Sequence, residues 1–298
     1  MQQIIEKAYA KINLGLHITG KRPDGYHTLS MLMQTVSLYD EVVVYRTNDS
    51  DEISMDMDFG GRHPEEEITC DGDNLCVKAA KLICGKLPES HGYYMHLVKN
   101  IPSAAGMAGG SSDAAAVLRG INRLEGDYFS KDELLRMALK LGADVPYCID
   151  GGLCLCEGIG EQMTPIEADL DAQLLLAKPA EGVSTPEAYR YFDEHPAAEQ
   201  GSIEGVIEGI RKNDIFLISE NIHNDLEDAA KHFCPSISEI EELMLTEGAL
   251  LSEVTGSGPT IFGIFDTDEA RRTAAEALRT TGLCPDIIYA NCIRPDYD

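Results

Sequence analysis

The sequence predicts a two-domain protein of the α+β class, and three observations lead to this prediction. The chain has 298 residues, which is long for one hydrophobic core and typical of two domains of about 150 residues each. Strand-like and helix-like segments alternate irregularly along it, without an internal repeat. The pattern breaks near Met163–Asp171, where Pro165 stands among acidic residues. We therefore place the domains at residues 1–165 and 166–298.

The net charge of the chain limits the classes of molecule that it can bind. Its 51 acidic and 24 basic side chains give a net charge of −27, which argues against a nucleic acid as partner. Much of the acidic excess lies in Asp49–Asp73. We interpret this segment as a solvated loop with an edge hairpin, and a metal site there is the less favoured alternative.

Composition favours a soluble protein of the cytoplasm. The start of the chain carries Glu6 and Lys7 in its first apolar stretch, so we expect no secretory signal. No uncharged apolar segment of about 18 residues occurs, so we expect no contact with a membrane. The nine cysteines include no Cys-x-x-Cys pair, which favours reduced core thiols over a zinc site.

The first predicted element is a strand over Ala8–Ile18. Its alternation places three residues on one face: Lys11, Asn13 and Gly15. The turn Pro23-Asp24-Gly25 follows and presents Tyr26 and His27. A strand lysine is more often solvated, and an aromatic residue beside a histidine is more often a packing pair. The residues alone therefore leave a functional role open.

Two further strands and a helix come next. The segments Thr35–Tyr45 and Ile53–Met57 are predicted as strands because they are rich in apolar residues. A helix begins at Asp73-Asn74-Leu75 and ends near Gly85, with the aspartate as the expected N-cap.

A loop rich in glycine and serine lies at the centre of the first domain. The apolar run Tyr93–Val98 predicts a strand before it, and Ala114–Leu124 predicts a helix after it. Glycines let a backbone approach a ligand closely, and the first turn of a helix has unpaired N–H groups that favour phosphate. A turn that only caps the helix is the alternative.

A capping box predicts the next helix. Ser130 is followed three residues later by Glu133, and the helix is expected to run to Leu141 and to stop at Gly142. Asp144 comes just after that end, where the helix dipole disfavours a negative charge. We expect a partner such as a lysine to hold this carboxylate.

The second domain is predicted as a mixture of helices and strands. The predicted helices are Pro186–Glu194, Ser202–Lys212, Ser236–Glu247 and Thr267–Thr280. The predicted strands are Leu174–Ala177, Leu251–Val254, Thr260–Phe265 and Asp286–Asn291.

Three motifs resemble those of the GHMP kinases, a family that includes galactokinase, homoserine kinase and mevalonate kinase. The loop reads Pro102, Ser103-Ala104-Ala105 and Gly106-Met107-Ala108-Gly109-Gly110-Ser111-Ser112, where Met107 replaces the usual leucine. The first strand carries Ala10-Lys11-Ile12-Asn13-Leu14, and Thr255–Thr260 is similar to the third motif. Neither of the two better-known phosphate motifs occurs.

The resemblance implies a fold and a reaction. It implies a ribosomal protein S5 domain 2-like N-terminal domain that binds ATP and a ferredoxin-like C-terminal domain. The sequence Gly25-Tyr26-His27 narrows the resemblance to one branch of these kinases. That branch uses ATP, with Mg²⁺, to phosphorylate the 2-hydroxyl of a cytidine diphosphate methylerythritol in the non-mevalonate route to isoprenoids.

The resemblance also implies roles for individual residues. Asp144 accepts the hydroxyl proton, and Lys11 keeps that carboxylate ionised and stabilises the developing charge. Tyr26 stacks on the cytosine and His27 bonds its edge, while Asn13, Thr185 and Gly256 contact the acceptor. The expected ATP site is Asn74, Leu75, Lys99, Pro102, Ser103, Ala104, Ala105, Gly106, Met107, Ala108, Gly109, Gly110, Ser111 and Ser112. Ser112 is also a candidate contact for Mg²⁺, whose other ligands stay unassigned.

Two alternatives remain. Another GHMP kinase, with a mevalonate-type or homoserine-type acceptor, would share the loops but should lack Tyr26 and His27 in this setting. A non-catalytic nucleotide-binding module would predict the loss of Lys11 or Asp144, and both are present. We expect a monomer or a weak homodimer.

Overall fold

The computed structural model describes residues 2–47, 51–60, 68–89, 91–196 and 201–297. These residues form two β-sheets with helices packed on them, which confirms the α+β class. Part of the predicted acidic loop, including Asp49 and Glu65 to Glu67, lies outside the described residues. The division of the domains after residue 165 stays a prediction.

The helices and strands follow the predicted order with shifted ends. The strands are β1 (Gln2–Lys21), β2 (His27–Thr47), β3 (Ile53–Asp58), β4 (Gly92–Val98), β5 (Leu153–Gly158), β6 (Gln162–Pro165), β7 (Gln173–Lys178), β8 (Leu251–Val254), β9 (Ile261–Phe265) and β10 (Asp286–Asn291). The helices are α1 (Leu75–Cys84), α2 (Gly109–Leu124), α3 (Lys131–Ala138), α4 (Tyr147–Asp150), α5 (Thr185–Glu194), α6 (Ile203–Lys212), α7 (Ile215–Asn221), α8 (Glu227–Phe233), α9 (Ser236–Thr246) and α10 (Asp268–Thr281).

The first sheet is built on two long antiparallel strands, β1 and β2. The first half of β2 pairs with β5 and its second half pairs with β4, while β6 pairs with β5. Among the described residues, the edge strand β3 pairs with β4 in parallel, so the predicted edge hairpin is not formed there. The turn between β1 and β2 contains Gly25 at φ +91°, as the Pro-Asp-Gly signal predicted. The long strand β2 therefore pairs with three strands: β1, β4 and β5.

The prediction that Gly15 shares a face of β1 with Lys11 and Asn13 is wrong, because the register of this strand is irregular. The pairing with β2 shifts between Asn13 and Gly15, so the simple alternation ends there. A side chain at Gly15 would meet Ile203, whereas Lys11 and Asn13 border a cavity. Gly15 therefore does not share their face.

Helix α2 crosses the first sheet and is buried over most of its length. It begins at Gly109 rather than at Ala114, because the glycines and serines of the loop themselves form its first turn. Inside the sheet–helix layer, Arg119 donates to Glu6 at 2.9 Å and to the carbonyl of Cys148 at 2.7 Å. This buried ion pair ties α2 to β1.

The ends of two helices agree only in part with the ends predicted from the sequence. The predicted capping box of Ser130 and Glu133 is present at α3, although the α-helix ends at Ala138, three residues before the predicted end. At α1 the N-cap is Asn74, whose side chain accepts from the N–H of Cys76 at 2.8 Å, and not the predicted Asp73. Both residues are good N-caps, so sequence alone could not separate them.

The second sheet is antiparallel, in the order β10-β7-β9-β8, with α9 and α10 packed against it. The sequence did not predict α7 and α8, which are only seven residues long. All nine cysteines are free thiols, as expected. Among the described residues, no helix is long and apolar enough to span a membrane.

Hydrogen bonds join β1 to the loops that precede α8 and follow β8. The N–H of Leu16 donates to the carbonyl of His223, and the N–H of Asp225 donates to the carbonyl of Leu16, both at 2.9 Å. The N–H of Asn13 donates to Oγ1 of Thr255 at 3.0 Å. The strand that carries Lys11 is therefore also the seam between the two halves of the molecule.

Candidate active site

A cavity of about 1140 Å³ lies along this seam. Its wall combines β1, the turn after β1, the glycine-rich loop, the segment before α4, helix α5 and the loop after β8. This volume exceeds that of a typical site for one small ligand, so two substrates fit side by side. All the predicted site residues border the cavity except Ser112.

The glycine-rich loop forms one end of the cavity. Ala104, Gly106 and Ala108 have φ values of +48°, +71° and +57°, so the chain turns sharply before α2 begins at Gly109. The first N–H groups of α2 have no partner within the helix and carry the positive end of its dipole. This geometry suits a phosphate chain.

Two acidic residues anchor the start of that loop through Lys99. Its buried Nζ donates to Asp113 at 2.7 Å and to Asp40, while Asp40 also accepts from the N–H of Ile101 at 2.7 Å. Burial acts to lower the pKa of Lys99, but the charges and hydrogen bonds of the two carboxylates outweigh it and raise that pKa. Lys99 is therefore charged and fully engaged by protein groups.

Ser112 is the one predicted residue that the structure places elsewhere. Its side chain is fully buried, and its hydroxyl donates to the carbonyl of Tyr9 at 2.7 Å. The fourth residue of α2 faces β1 because a helix turns by about 100° per residue. The hydroxyl therefore fastens α2 to the sheet and does not face the cavity.

Lys11 enters the middle of the cavity from β1. Its Nζ donates to Oδ1 of Asn13 at 2.6 Å and to the carbonyl of Gly106 at 2.8 Å. Burial lowers the pKa of Lys11, and the negative charge of Asp144 acts in the opposite direction. The amide Nδ2 of Asn13 is buried without a hydrogen-bond partner, so it is a donor available to a bound ligand.

Asp144 approaches the same cavity from the segment between α3 and α4. Since α3 ends at Ala138, the aspartate does not follow directly on a helix end, as the sequence suggested, but precedes the short helix α4. The hydroxyl of Tyr147 in α4 donates to the carbonyl of Gly152 at 2.7 Å, which anchors this segment. Within the part of the chain that the structure describes, Lys11 and Asp144 both line the cavity but form no ion pair with each other, so the lysine contact expected for this carboxylate is not made.

The far end of the cavity contains Tyr26 and His27. Tyr26 is 65% exposed and lies at the cavity mouth. His27 is covered by α5, since its Nε2 lies 2.8 Å from Asp193 and its ring stacks on Tyr189. Nearby, Oγ1 of Thr185 lies 2.7 Å from Oγ of Ser257, next to Gly256.

The sequence did not single out four residues of α5 that line the cavity: Pro186, Tyr189, Arg190 and Asp193. The helix itself was predicted, but its position against β1 depends on packing between distant segments. An aromatic and a charged residue one turn apart on an amphipathic helix gave no specific indication of a site.

Comparisons with known proteins give matches over most of the chain. The family model described as the GHMP kinases N terminal domain matches residues 74–152, and the GHMP kinases C terminal model matches residues 206–283. The chain is 41% identical to the 4-diphosphocytidyl-2-C-methyl-D-erythritol kinase of Clostridium beijerinckii over 87% of this chain and 90% of that protein. It is 40% identical to the enzyme of the same name from Lachnoclostridium phytofermentans over 92% of each.

Solved structures extend the likeness to the fold. A crystal structure of 4-(cytidine 5'-diphospho)-2C-methyl-D-erythritol kinase matches with a TM-score of 0.78 and 29% identity, over 97% of this chain and 98% of that one. A homoserine kinase from Cytophaga hutchinsonii matches with a TM-score of 0.75 at 19% identity, over 99% of this chain and 96% of that one. The second likeness concerns the fold alone.

Proposed function

This chain belongs to the GHMP kinases, within them to the family of 4-diphosphocytidyl-2-C-methyl-D-erythritol kinases, and we propose that it transfers the γ-phosphoryl group of ATP to the 2-hydroxyl of that acceptor. The observation that supports the proposal most is the convergence of Lys11, Asp144 and the glycine-rich loop on one cavity. Phosphoryl transfer depends mainly on positioning and charge neutralisation, which such a convergence supplies.

The glycine-rich loop binds the triphosphate of ATP. Backbone N–H groups at the start of α2 donate to the phosphate oxygens, and the helix dipole favours their negative charge. Asn74 and Leu75, at the start of α1, border the same end of the cavity and contact the adenosine. Lys99 acts indirectly, because its ion pairs with Asp40 and Asp113 hold the loop in place.

Asp144 is the general base of the transfer. Its carboxylate accepts the proton of the 2-hydroxyl while the hydroxyl oxygen forms a bond to the γ-phosphorus and the bond to ADP breaks. Lys11 supplies a buried positive charge beside the reacting oxygens. The carbonyl of Gly106 and the amide of Asn13 fix the position of its ammonium group.

Magnesium accompanies the ATP, and one residue at the cavity fits it. Oδ1 of Asp113 is buried without a hydrogen-bond partner, and Asp113 lines the cavity close to the loop. Asp113 would hold Mg²⁺ through this oxygen, because the ion prefers carboxylate ligands. The ion would neutralise charge on the triphosphate.

The acceptor occupies the remainder of the cavity. Tyr26 stacks on the cytosine, and His27 bonds the edge of the base. The free Nδ2 of Asn13 donates to an oxygen of the sugar alcohol near the transferred phosphate, while Thr185 and Gly256 close the opposite side. The enzyme acts in the cytoplasm as a monomer or weak homodimer, without nucleic-acid or membrane partners.

A phosphoryl-transfer assay tests this function. ATP is supplied with 4-diphosphocytidyl-2-C-methyl-D-erythritol, and mevalonate and homoserine serve as competing acceptors. We expect turnover with the cytidyl acceptor alone. Turnover with mevalonate or homoserine instead would assign the chain to another GHMP activity.

A further inference from the structure

Residues of α5 hold the imidazole of His27 from two sides. Nε2 lies 2.8 Å from Oδ1 of Asp193, and the ring of Tyr189 stacks on it at 4.8 Å with 16° between the planes. Across the described ranges of the chain, the imidazole makes no second hydrogen bond. Nδ1 is therefore available to a ligand in the cavity that His27 lines.

Asp193 determines which ring nitrogen carries the proton. An ionised carboxylate only accepts hydrogen bonds, so Nε2 must donate to it, and the neutral imidazole then presents Nδ1 as an acceptor. The hydrogen bonds from Lys21 and His27 lower the pKa of Asp193, which keeps this carboxylate ionised.

Lys21 pairs with the second oxygen of the Asp193 carboxylate. A lone carboxylate favours the doubly protonated imidazolium, in which Nδ1 would be a donor. Here Nζ of Lys21 lies 2.5 Å from Oδ2 of Asp193, so a cation already balances the carboxylate. Lys21 therefore contacts Asp193, and Asp193 contacts His27, whose Nδ1 is the free acceptor at the end of this series.

We propose that Asp193, with Lys21 as its counter-ion, is a positioning residue that makes His27 an acceptor for an exocyclic amino group and so selects cytosine over uracil. This inference rests on the proposed function, which places the base of the acceptor at His27. Cytosine carries an amino donor at the position where uracil carries a carbonyl acceptor. The lone pair of Nδ1 accepts a hydrogen bond from the amino group of cytosine and repels the carbonyl oxygen of uracil. A site built around such a hydrogen bond discriminates strongly against a base that lacks the donor.

The kinetic test compares the cytidine acceptor with its uridine counterpart. In Asp193→Ala the imidazole is free to take either tautomer, so we expect the preference for cytidine, measured as the ratio of kcat/KM values, to fall about tenfold. We expect this fall to come from a higher KM for the cytidine acceptor, whereas kcat should change less than about threefold. His27 touches the base and not the reacting hydroxyl, which is the reason for this split.

Asp193→Asn gives a sharper prediction. The ammonium of Lys21 can only donate, so the amide oxygen should face Lys21 and the amide nitrogen should face Nε2. Nδ1 then carries the proton and becomes a donor, which reverses the preference toward uridine. Glu194→Gln is the matched control: it removes the same charge from the next position of α5, at a residue that does not line the cavity.

A second measurement determines the tautomer of the His27 imidazole in the absence of substrate. The ¹⁵N chemical shifts of His27, assigned with a His27→Gln variant, should show the neutral form with its proton on Nε2 in the wild type and a mixture in Asp193→Ala. A doubly protonated ring or a proton on Nδ1 in the wild type would overturn the inference.

The outcomes separate the two proposals. If the wild type uses the cytidyl acceptor and both Asp193 variants keep its cytidine preference, the inference is wrong and the proposed function stands. If the wild type does not use the cytidyl acceptor at all, the proposed function fails and base selection fails with it. A preference that falls in Asp193→Ala and reverses in Asp193→Asn supports the inference.

Discussion

At the scale of single residues, burial decides what Lys11 can do. A lysine on a strand is most often solvated, but this one is 4% exposed and both of its hydrogen bonds go to protein oxygens. Desolvation lowers its pKa, and the charge of Asp144 opposes that effect. Two groups far apart in sequence therefore influence each other across the cavity.

The role of Asp144 predicts a specific kinetic defect. In Asp144→Asn we expect turnover to fall by a factor of at least about 100, because the amide cannot accept the hydroxyl proton. The affinity for ATP should stay within a few-fold, since the loop that binds phosphate is unchanged. Asp132→Asn, on α3 and outside the cavity, is the control. Loss of ATP binding with normal turnover per bound substrate would contradict the role.

Tyr26 should affect the acceptor and not ATP. In Tyr26→Ala we expect the KM of the cytidyl acceptor to rise about tenfold, because an aromatic–base stack contributes about 1–3 kcal/mol. Steady-state kinetics with each substrate varied in turn measures this. Tyr128→Ala removes a comparably exposed ring outside the cavity and should leave both KM values unchanged. An unchanged acceptor KM in Tyr26→Ala would exclude Tyr26 from the cytosine site.

At the scale of elements, the glycine-rich loop and the loop after β8 pack backbone against backbone. A Cβ added at Gly106 would lie 2.3 Å from the carbonyl oxygen of Thr255 and 3.1 Å from that of Gly258. Gly106 also has φ +71°. The segment Thr255–Thr260 therefore packs directly against the glycine-rich loop.

A pair of alanine substitutions tests this contact. In Gly106→Ala we expect a loss of about 3 kcal/mol or more in the free energy of unfolding, together with lost activity, because backbone must move. Gly126→Ala shares the same φ of +71° but meets nothing within 4 Å, so it should cost only about 1 kcal/mol. Urea unfolding measures both. Equal losses in the two variants would mean that backbone strain alone, and not the contact, explains the effect.

At the scale of the whole molecule, the large negative charge is not confined to the surface. Glu227, Glu241 and Glu253 approach one another where α8 and α9 cover β8, with Lys231 bonded to Glu227 at 2.6 Å and to Glu241 at 2.8 Å. Burial raises the pKa of Glu241 to about 7. One cation thus balances only part of a buried acidic cluster.

This cluster predicts how stability depends on pH. The folded protein keeps a proton on Glu241 up to a pH of about 7, whereas the unfolded chain loses it near the ordinary value of 4.5, so stability falls as the pH rises through that window. In Glu241→Gln the side chain is always neutral. We expect this variant to be more stable than the wild type at pH 8, by up to about 3 kcal/mol, with the difference vanishing below pH 4.5.

Urea unfolding between pH 4 and pH 8 measures that difference. Glu242→Gln is the control, because it removes a charge from the next, exposed residue of the same helix. A difference between Glu241→Gln and the wild type that stays constant across this range would contradict the prediction.

The sequence by itself determined the local features of this protein. The turn at Gly25, the capping box of α3 and the order of the main elements depend on residues a few positions apart, so local patterns were enough to predict them. The role of the glycine-rich loop came from the family resemblance and stays a proposal. The motifs singled out Lys11, Asp144, Tyr26 and His27, which all line one cavity.

Only the tertiary structure decided how these parts meet. The inward turn of Ser112 toward Tyr9, the engagement of Lys99 by Asp40 and Asp113, and the cover that α5 places on His27 all join segments distant in the chain. Such contacts depend on the packing of helices and sheets against one another, and the free energy of that packing comes from burial of whole faces rather than from any local pattern.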